Sequence, residues 1–336
     1  MTAVSSRPAI SVVMPTFNRA DAIGLTLQHL GRQSLPPDQF EVVVADDGST
    51  DATAGIVAAQ STPFRLVYCR QENRGAAAAR NLGCLRARAE LLVLLDSDVI
   101  TAPSLLEQHA QRHAGRPRHL VIGRMKPWPG IERPWYEEAL DPEGVGRDYG
   151  DRPGTVPFHF AYTCNMSVTR GALEEIGGFD ESFPAAGFED TEFAYRAGQM
   201  GYPLSYEPEA LGYHNHPRTL RQRCRHQAAH MSSMALLLAK HPQVQAAIDG
   251  LDDLMPLWAP PRSAGALLRR GRAAVYALRP VRFALYQSLS ALDRLQVAPR
   301  LASILFWRLL AGWRQTGLRH GLRRYAAGAA LEERDG

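Results

Sequence analysis

Apolar and polar positions alternate between two regimes over the first hundred residues. ISVVMPTFN is a short apolar run ending in a turn, and RADAIGLTLQHLGRQ then places Ile23, Leu27 and Leu30 at helical spacing. FEVVVADDGSTD repeats the scheme before the helix DATAGIVAAQ. FRLVYCR gives a third strand, GAAAARNLGCLRARA a third helix and LLVLLD a fourth strand. Strands that are almost continuously β-branched or leucine, separated by helices, predict a parallel sheet covered on both faces. Such a doubly wound α/β domain binds ligands beyond the carboxyl ends of its strands. Here those ends are PTFNR, ADDGSTD and DSD, so acids and small polar residues converge on one edge.

Further along, order lapses and returns. Residues 1–114 form the first unit of the pattern. Residues 115–157, rich in Pro, Gly and Trp, predict a loop-rich excursion over the site. Residues 158–216 resume strand and helix signals, and 217–336 read as mostly helical, with breaks near Pro256, Pro260, Pro261, Pro280 and Pro299.

Charge sharpens this division. Residues 1–216 carry 19 basic and 27 acidic side chains, a net of −8, whereas 217–336 carry 19 and 7, a net of +12. The basic region is either a solvated helical surface or a tail for an anionic membrane or phosphorylated substrate; nucleic acid is not expected. Its segment PRLASILFWRLLAGWRQTGLRHGLRRYAAG mixes Leu, Ile, Phe and Trp with arginines and no acid, a composition suited to an interfacial helix. An ordinary packed helix exposing its arginines is the plain alternative. No apolar run reaches the roughly 20 residues of a membrane span, and MTAVSSRPAI holds no signal-peptide core. Cys69, Cys84, Cys164 and Cys224 are scattered without a CxxC spacing, so neither a zinc site nor a disulfide framework is expected and the setting is reducing. The expected location is the cytoplasm, with peripheral contact at the inner face of the cytoplasmic membrane as an added possibility for the tail.

The candidate chemistry sits in the turns. In an extended backbone, residues two apart point the same way, so Asp96 and Asp98 are expected to present both carboxylates on one side, with Ser97 turned away. Two anions that close raise each other's pKa unless a cation lies between them. Asp98 as a helix cap is the structural alternative, but Thr101 already supplies a cap for TAPSLLEQHA. In ADDGSTD, Gly48 permits the turn and Ser49, Thr50 and Asp51 cap, which leaves Asp46 to accept hydrogen bonds from a nucleobase or ribose. Asn73, Arg74 and Arg80 open an Ala-rich helix in a way that suits an anion, with Arg80 as a solvated helix residue the equal alternative. PTFNR stands where a dinucleotide fold would carry GxGxxG, which argues against a nicotinamide cofactor.

VVMPTFNR, VVVADDGSTD, ENRGAAAARNLG and LLVLLDSD, in this order, resemble the nucleotide-binding half of family 2 glycosyltransferases. The segment from TCNMSVTRGALEEIGGFDESFP through GFEDTEFAYRAGQMGYPLSYEPEALGYHNH resembles the acceptor half, and together the likeness covers roughly residues 9–216. The resemblance implies a GT-A-type fold: a doubly wound, mixed, mostly parallel α/β sheet flanked by helices, here with a helical C-terminal extension. It implies transfer of a sugar from a nucleotide diphosphate donor with inversion. Pro15, Thr16 and Asn18 match the first strand-end of the nucleotide site, and Asp46, with Asp47 beside it, the acid that binds uracil in uridine-using members. Asn73 and Arg80 match the base or phosphate side, Asp96 the ribose contact, Ser97 the spacer and Asp98 the metal ligand. Glu189 and Asp190 match the ED motif, whose aspartate is the usual general base. His214 or His216, with His214 favoured, matches a histidine that completes the metal site or touches the diphosphate; a structural histidine at the turn is the alternative.

A bound Mg²⁺ or Mn²⁺ would neutralise charge on the leaving diphosphate, and one base facing the acceptor hydroxyl suffices for a single displacement. Glu189 and Asp190 as simple helix-start acids are the alternative, accepted for Glu189. Asn165 and the loop Gly177–Asp180 are expected to shape the acceptor side, with turn and core as their alternative. RTLRQRCRHQ loosely resembles the Q-x-x-R pattern of polymerising relatives, but His226 stands where their tryptophan would, which weighs against processive polymerisation; Arg223 or Arg225 is a candidate diphosphate contact, with a solvated basic helix the favoured alternative. The expected acceptor is a carbohydrate or lipid-linked glycan, in cell-surface glycan or polysaccharide synthesis, with a polysaccharide or a small metabolite as open alternatives. Two other readings stay open: a sugar nucleotidyltransferase, which releases pyrophosphate, and a non-catalytic nucleotide- or glycan-binding protein.

Overall fold

The computed structural model describes residues 7–130, 149–183, 187–215, 219–248, 271, 273–295 and 299–332. The described residues fall into two compact units, one of 7–130, 149–183 and 189–215, the other of 187–188 and everything from 219 onward.

In the first unit the apolar runs become strands. β1 (Ile10–Thr16) pairs in parallel with β2 (Phe40–Asp46) on one side and β4 (Leu91–Leu95) on the other, and β3 (Arg65–Arg70) closes the edge beyond β2. β1, β2 and β4 are buried on both faces, and β3 is partly exposed at the edge. Helices α1 (Ile23–Leu30), α2 (Thr53–Ala58) and α3 (Ala76–Arg86) make the crossovers. α3 lies unusually close to the sheet: a Cβ on Gly83 would stand 2.5 Å from Cγ1 of Val13, so this helix position requires glycine.

Beyond β4 the sheet changes direction. After β5 (Val99–Thr101), α4 (Leu105–His113), β6 (Leu120–Pro127) and β7 (Gly154–Thr155), strand β8 (Asn165–Thr169) enters antiparallel between β4 and β6. α5 (Arg170–Ile176) and α6 (Glu189–Gln199) follow, and β9 (Leu204–His214) runs parallel to β6. The strand order is β3-β2-β1-β4-β8-β6-β9-β5, with β7 also on β9, which is the mixed, mostly parallel sheet expected.

Two local expectations are corrected. Thr101 does not cap a helix: it ends β5, and α4 starts four residues later behind Ser104, whose side chain makes no cap bond. The cap comes from afar, since Gln33 accepts from Leu106 N at 3.0 Å through Oε1 and donates to Thr101 Oγ1 and Ala102 O through Nε2. The segment 115–157 is also not all excursion. LVIGRMKP forms β6 in the middle of the sheet, because the short apolar run of Leu120, Val121 and Ile122 suffices once β8 and β9 both pair with it. Residues 131–148 of that segment, like Pro256, Pro260 and Pro261, lie outside the described residues.

The second unit contains α7 (Leu220–Lys240), α8 (Val244–Ala247), α9 (Arg279–Leu295) and α10 (Pro299–Glu332). Thr219 and Gln222 form a reciprocal capping box at the start of α7, so Gln222 of the Q-x-x-R stretch is engaged there. Arg223 lies over the Phe306 ring at 6.0 Å. Pro280 and Pro299 stand in the first turns of α9 and α10, where a missing N–H costs little. α7 and α10 touch through backbone: a Cβ on Gly317 would lie 2.0 Å from Ala228 O, and one on Gly321 2.6 Å from Ser232 O. Cys224, Leu289, Phe306, Leu309 and Leu310 fill the apolar centre of this unit.

A buried polar chain crosses the first unit under β8. His109 meets Ser167 Oγ at 2.7 Å and Asn165 Oδ1 at 2.9 Å, and His113 meets the same Ser167 at 2.9 Å. Burial pushes His109 down to about 4, and burial together with the neighbouring His109 and His119 pushes His113 down to about 3. In the unfolded chain each takes up a proton near pH 6.5. Their contribution to stability is therefore complete above that pH and is lost as pH falls toward the folded values. The urea midpoint is expected to fall between pH 7 and pH 5, and His109→Asn should make that slope shallower. An unchanged slope in the variant would count against this account.

Candidate active site

The site is built from three turns at the carboxyl ends of β1, β2 and β4, joined by elements of the returning half. After β1, Asn18 adopts φ +51°, a left-handed conformation that asparagine tolerates. Its N–H donates to Ser49 Oγ at 2.9 Å, and its Oδ1 accepts from Thr50 N at 2.8 Å. The first turn is thus stitched to the second. Thr16 is buried, and its Oγ1 has no hydrogen-bond partner among the described residues. Pro15 is half-buried beside it.

The acids of ADDGSTD shape their own loops. Asp46 is fully buried, accepting from Ser49 N at 2.7 Å and from the Tyr68 hydroxyl at 2.5 Å. Asp47 accepts from Gln71 Nε2, Arg74 N and Gly75 N, each at 2.8 Å, and so folds the loop that carries the exposed Asn73. Gly48, at φ +85°, provides the turn between these partners. Asp51 accepts from Ala20 N and from the backbone and hydroxyl of Thr53. Burial pushes its carboxyl up, but these hydrogen bonds outweigh that and hold it below the usual range. Tyr68 is a residue that sequence reasoning missed. It lies half-exposed on the edge strand β3, and burial followed by its bond to Asp46 pushes its phenol up to about 12.

At the end of β4 the two DSD carboxylates part. The strand stops at Leu95, and Val99 N donates to Asp96 O at 3.2 Å, so residues 96–99 form a turn. The two-residue alternation of an extended chain does not apply inside a turn, so the basis for expecting both carboxylates on one side is corrected, and each meets a different arginine. Asp98, 6% exposed, lies 3.4 Å from Arg19 Nε. Asp96, more open, lies 3.7 Å from Arg80 Nη2. Ser97 is buried, its carbonyl accepting from Thr26 Oγ1 at 3.0 Å.

Arg80 is the hub. Its Nη1 donates to Glu189 Oε1 at 2.5 Å, its Cζ lies 5.8 Å from the Phe179 ring centroid, and its Nε has no hydrogen-bond partner among the described residues. Burial works against its charge, yet the carboxylates of Glu189, Asp96 and Asp190 outweigh that and hold the guanidinium above its ordinary range. Glu189 is buried at the start of α6, and Asp190 is half-buried beside it, accepting from Thr191 N at 2.8 Å. The neighbouring Asn81 clamps the loop that follows Gly177: it accepts from Phe179 N and donates to Phe179 O and Glu181. Asn165 instead belongs to the core, fully buried and donating to Ala210 O at 2.8 Å.

Three potential cation ligands meet at this edge. A carboxylate oxygen of Asp96, the Cys164 sulfur and an imidazole nitrogen of His214 all lie within 4.8 Å of one another. His216 lies outside the described residues.

Residues 11–177 match glycosyl transferase family 2, and the chain belongs to that family. It is 33% identical over 273 residues to a validoxylamine A glucosyltransferase of Streptomyces hygroscopicus subsp. limoneus, an alignment covering 72% of this chain and 59% of that one. The chain spans about 59–63% of the length of the curated relatives that match it at this level. Among solved structures, the mannosyltransferase PcManGT from Pyrobaculum calidifontis, in complex with GDP-Man and Mn²⁺, superposes with a TM-score of 0.55 at 24% identity, covering 96% of this chain and 86% of that one. TarS residues 1–349 from S. aureus, in complex with UDP-GlcNAc, superposes with a TM-score of 0.53 at 20% identity, covering 95% and 92%. These likenesses establish the GT-A-type fold.

Removing one partner of a buried ion pair leaves the other charge uncompensated, at a cost of about 3–5 kcal/mol. Arg80→Met is expected to destabilise the first unit by that order, read as a lower urea midpoint. The double variant Arg80→Met/Glu189→Gln should recover part of the loss. Additive effects would show that the two side chains do not depend on each other.

Proposed function

We propose that the chain is an inverting, metal-dependent glycosyltransferase that moves a sugar from a nucleotide diphosphate donor to an acceptor hydroxyl. The observation that carries this reading is the Arg80 bridge, which ties the DSD turn to the first residues of α6. A donor held at DSD and a base at the start of α6 are thereby brought to one place. In this reading Asp190 takes the proton from the acceptor hydroxyl as the sugar is transferred, and Glu189 neutralises Arg80. Thr16, Asn18 and the Asp46 and Asp47 turn line the nucleoside, with Tyr68 beside Asp46. Uridine is the favoured base on the resemblance at Asp46, and the relatives' complexes with UDP-GlcNAc and GDP-Man supply the two bases to compare.

The donor set Asp96, Cys164 and His214 fits a divalent cation. When bound there, Mn²⁺ or Mg²⁺ would stabilise negative charge on the departing diphosphate. The family pattern favours Asp98 as the carboxylate ligand, whereas the ligand-atom geometry favours Asp96, whose carboxylate oxygen lies within 4.8 Å of the Cys164 sulfur and a His214 nitrogen.

The reading is tested by thermal shift against nucleotide sugars with and without Mn²⁺, UDP-glucose among them because the 33% identical relative is named a glucosyltransferase. Asp190→Asn should keep the donor-induced shift and lose about 10²–10⁴-fold in transfer, the usual worth of a general base. Release of pyrophosphate instead of a nucleoside diphosphate would identify a nucleotidyltransferase. Donor binding with neither transfer nor slow hydrolysis would identify a binding protein.

The acceptor in this proposal is a carbohydrate or lipid-linked glycan, met in the cytoplasm or at the inner face of the cytoplasmic membrane. No described helix is long and apolar enough to cross a membrane. In the second unit, however, Phe283, Leu301, Ile304 and Trp307 are exposed on α9 and α10. They support peripheral contact with an anionic bilayer, in a region whose net charge is +12. The chain should sediment with phosphatidylserine vesicles, and Leu301→Ser with Trp307→Ser should weaken that at least several-fold. Equal sedimentation of the variant would remove this face from the proposal.

A further inference from the structure

The antiparallel entry of β8 brings a thiol to the cation end of the site. Leu95 and Asn165 form the last rung between β4 and β8, so Asp96 and Cys164 are the next residues on either side. Asp96 N donates to Cys164 O at 3.4 Å, fixing the two backbones together. β9 ends on the same edge, where His214 is held in register by Val99 of β5 and Pro127 of β6. Three strand ends on one edge of the sheet, those of β4, β8 and β9, therefore each deliver one ligand atom, and the three are of different kinds: oxygen, sulfur and nitrogen.

Cysteine is often buried merely as a small apolar side chain, and Cys84 and Cys224 are of that sort. Burial pushes both their thiols up to about 12, and neither belongs to a cluster of potential ligands among the described residues. Cys164 is buried as well, but a carboxylate and an imidazole flank it. In a tetrahedral zinc site the bonds are about 2.0–2.3 Å long, which sets ligand atoms roughly 3.3–3.8 Å apart. Closing the cluster from its present 4.8 Å limit asks for side-chain shifts of about 1 Å. Asp96 and His214 are half-buried, so a three-ligand site there keeps an open position, the pattern of exchangeable rather than structural zinc.

We propose that Cys164 is a direct sulfur ligand in a site with Asp96 and His214, and that the site therefore prefers Zn²⁺ or Co²⁺ to Mg²⁺. Thiolate and imidazole favour the softer ions, whereas Mg²⁺ demands oxygen. On binding, the Cys164 S–H bond breaks, a sulfur–metal bond forms and the proton passes to solvent. The proposal rests on the DSD turn being the cation end of the site and adds a ligand that the family pattern does not supply. Zinc would then compete with the ion that assists transfer.

Cobalt reports sulfur ligation directly, through a near-ultraviolet thiolate-to-metal charge-transfer band. Titration of the full chain with Co²⁺ should produce that band, as should Cys69→Ser, whose thiol lies outside the cluster. Cys164→Ser should lack the band, and its Zn²⁺ affinity, read by competition with a chromophoric chelator, should fall at least about 100-fold, beyond the 10–100-fold typical of an outer-shell partner. Asp96→Asn should weaken Zn²⁺ binding more than Asp98→Asn does. No band in the unaltered chain, or a band that survives Cys164→Ser, overturns the proposal; a loss confined to Asp98→Asn overturns the ligand set. Should Cys164→Ser fail to fold, alkylation of the unaltered chain decides: Zn²⁺ should slow labelling of Cys164 and leave Cys69 unaffected, and equal labelling with and without Zn²⁺ overturns it. A band without glycosyl transfer bears against the proposed function alone, and transfer without a band bears against the sulfur ligand alone.

Discussion

A guanidinium that cannot lose its proton and cannot reach water must be neutralised where it lies. Arg80 is in that position, and most of the site's geometry follows from it. Its alanine-rich helix sits close enough to the sheet that Gly83 can bear no side chain, and Arg80, one turn earlier on that helix, is buried. Glu189 meets it at 2.5 Å and Asp96 at 3.7 Å. The first contact anchors the start of α6, and the second leaves Asp96 within the arginine's field without a tight bond. The positive charge that binds the two halves together also lies beside the proposed base and the proposed cation ligands.

The reversal of the sheet at β8 is the second constraint. A purely parallel sheet offers only carboxyl ends, and the loops behind them, to a ligand. With β8 antiparallel to β4, the beginning of a strand faces the same edge. Cys164 arrives there as the residue before β8, while β9, parallel to β6, brings His214 as the last residue of its strand. Asn165 is fully occupied in locking β8 to its neighbours through His109 and Ala210, which fixes the position of the residue before it.

The parts legible in the sequence were those dictated by local rules. β1, β2 and β4 could be read because burial on both faces demands unbroken apolar runs, and the acids at their ends because so many carboxylates at strand ends call for explanation. β6 could not, since its run is set among Pro and Gly and is stabilised by partners far away in sequence. The cap of α4 was missed for a similar reason: Gln33 provides it across more than seventy positions. DSD misled in its geometry, because alternation was carried past Leu95 into a turn. Cysteine spacing carried no sign of a ligand role for Cys164, because its neighbours Asp96 and His214 come from other strands.

The acids divide by what saturates them. Asp46, Asp47 and Asp51 take backbone N–H groups of their own and adjoining loops. Such carboxylates define shape first, and a nucleoside reaching Asp46 must share an acid that already accepts from Ser49 and Tyr68. A carboxylate has lone pairs enough for that, so shaping and recognition are compatible there. Asp96 and Asp98 are engaged differently, each standing more than 3 Å from an arginine on another element. For Asp96, whose arginine keeps its short bond to Glu189, a contact of that length gives way to a cation more readily than a set of short backbone bonds does. The same residue type therefore builds the rim of the site at β2 and keeps exchangeable charge at β4, and the difference lies in the donors around it.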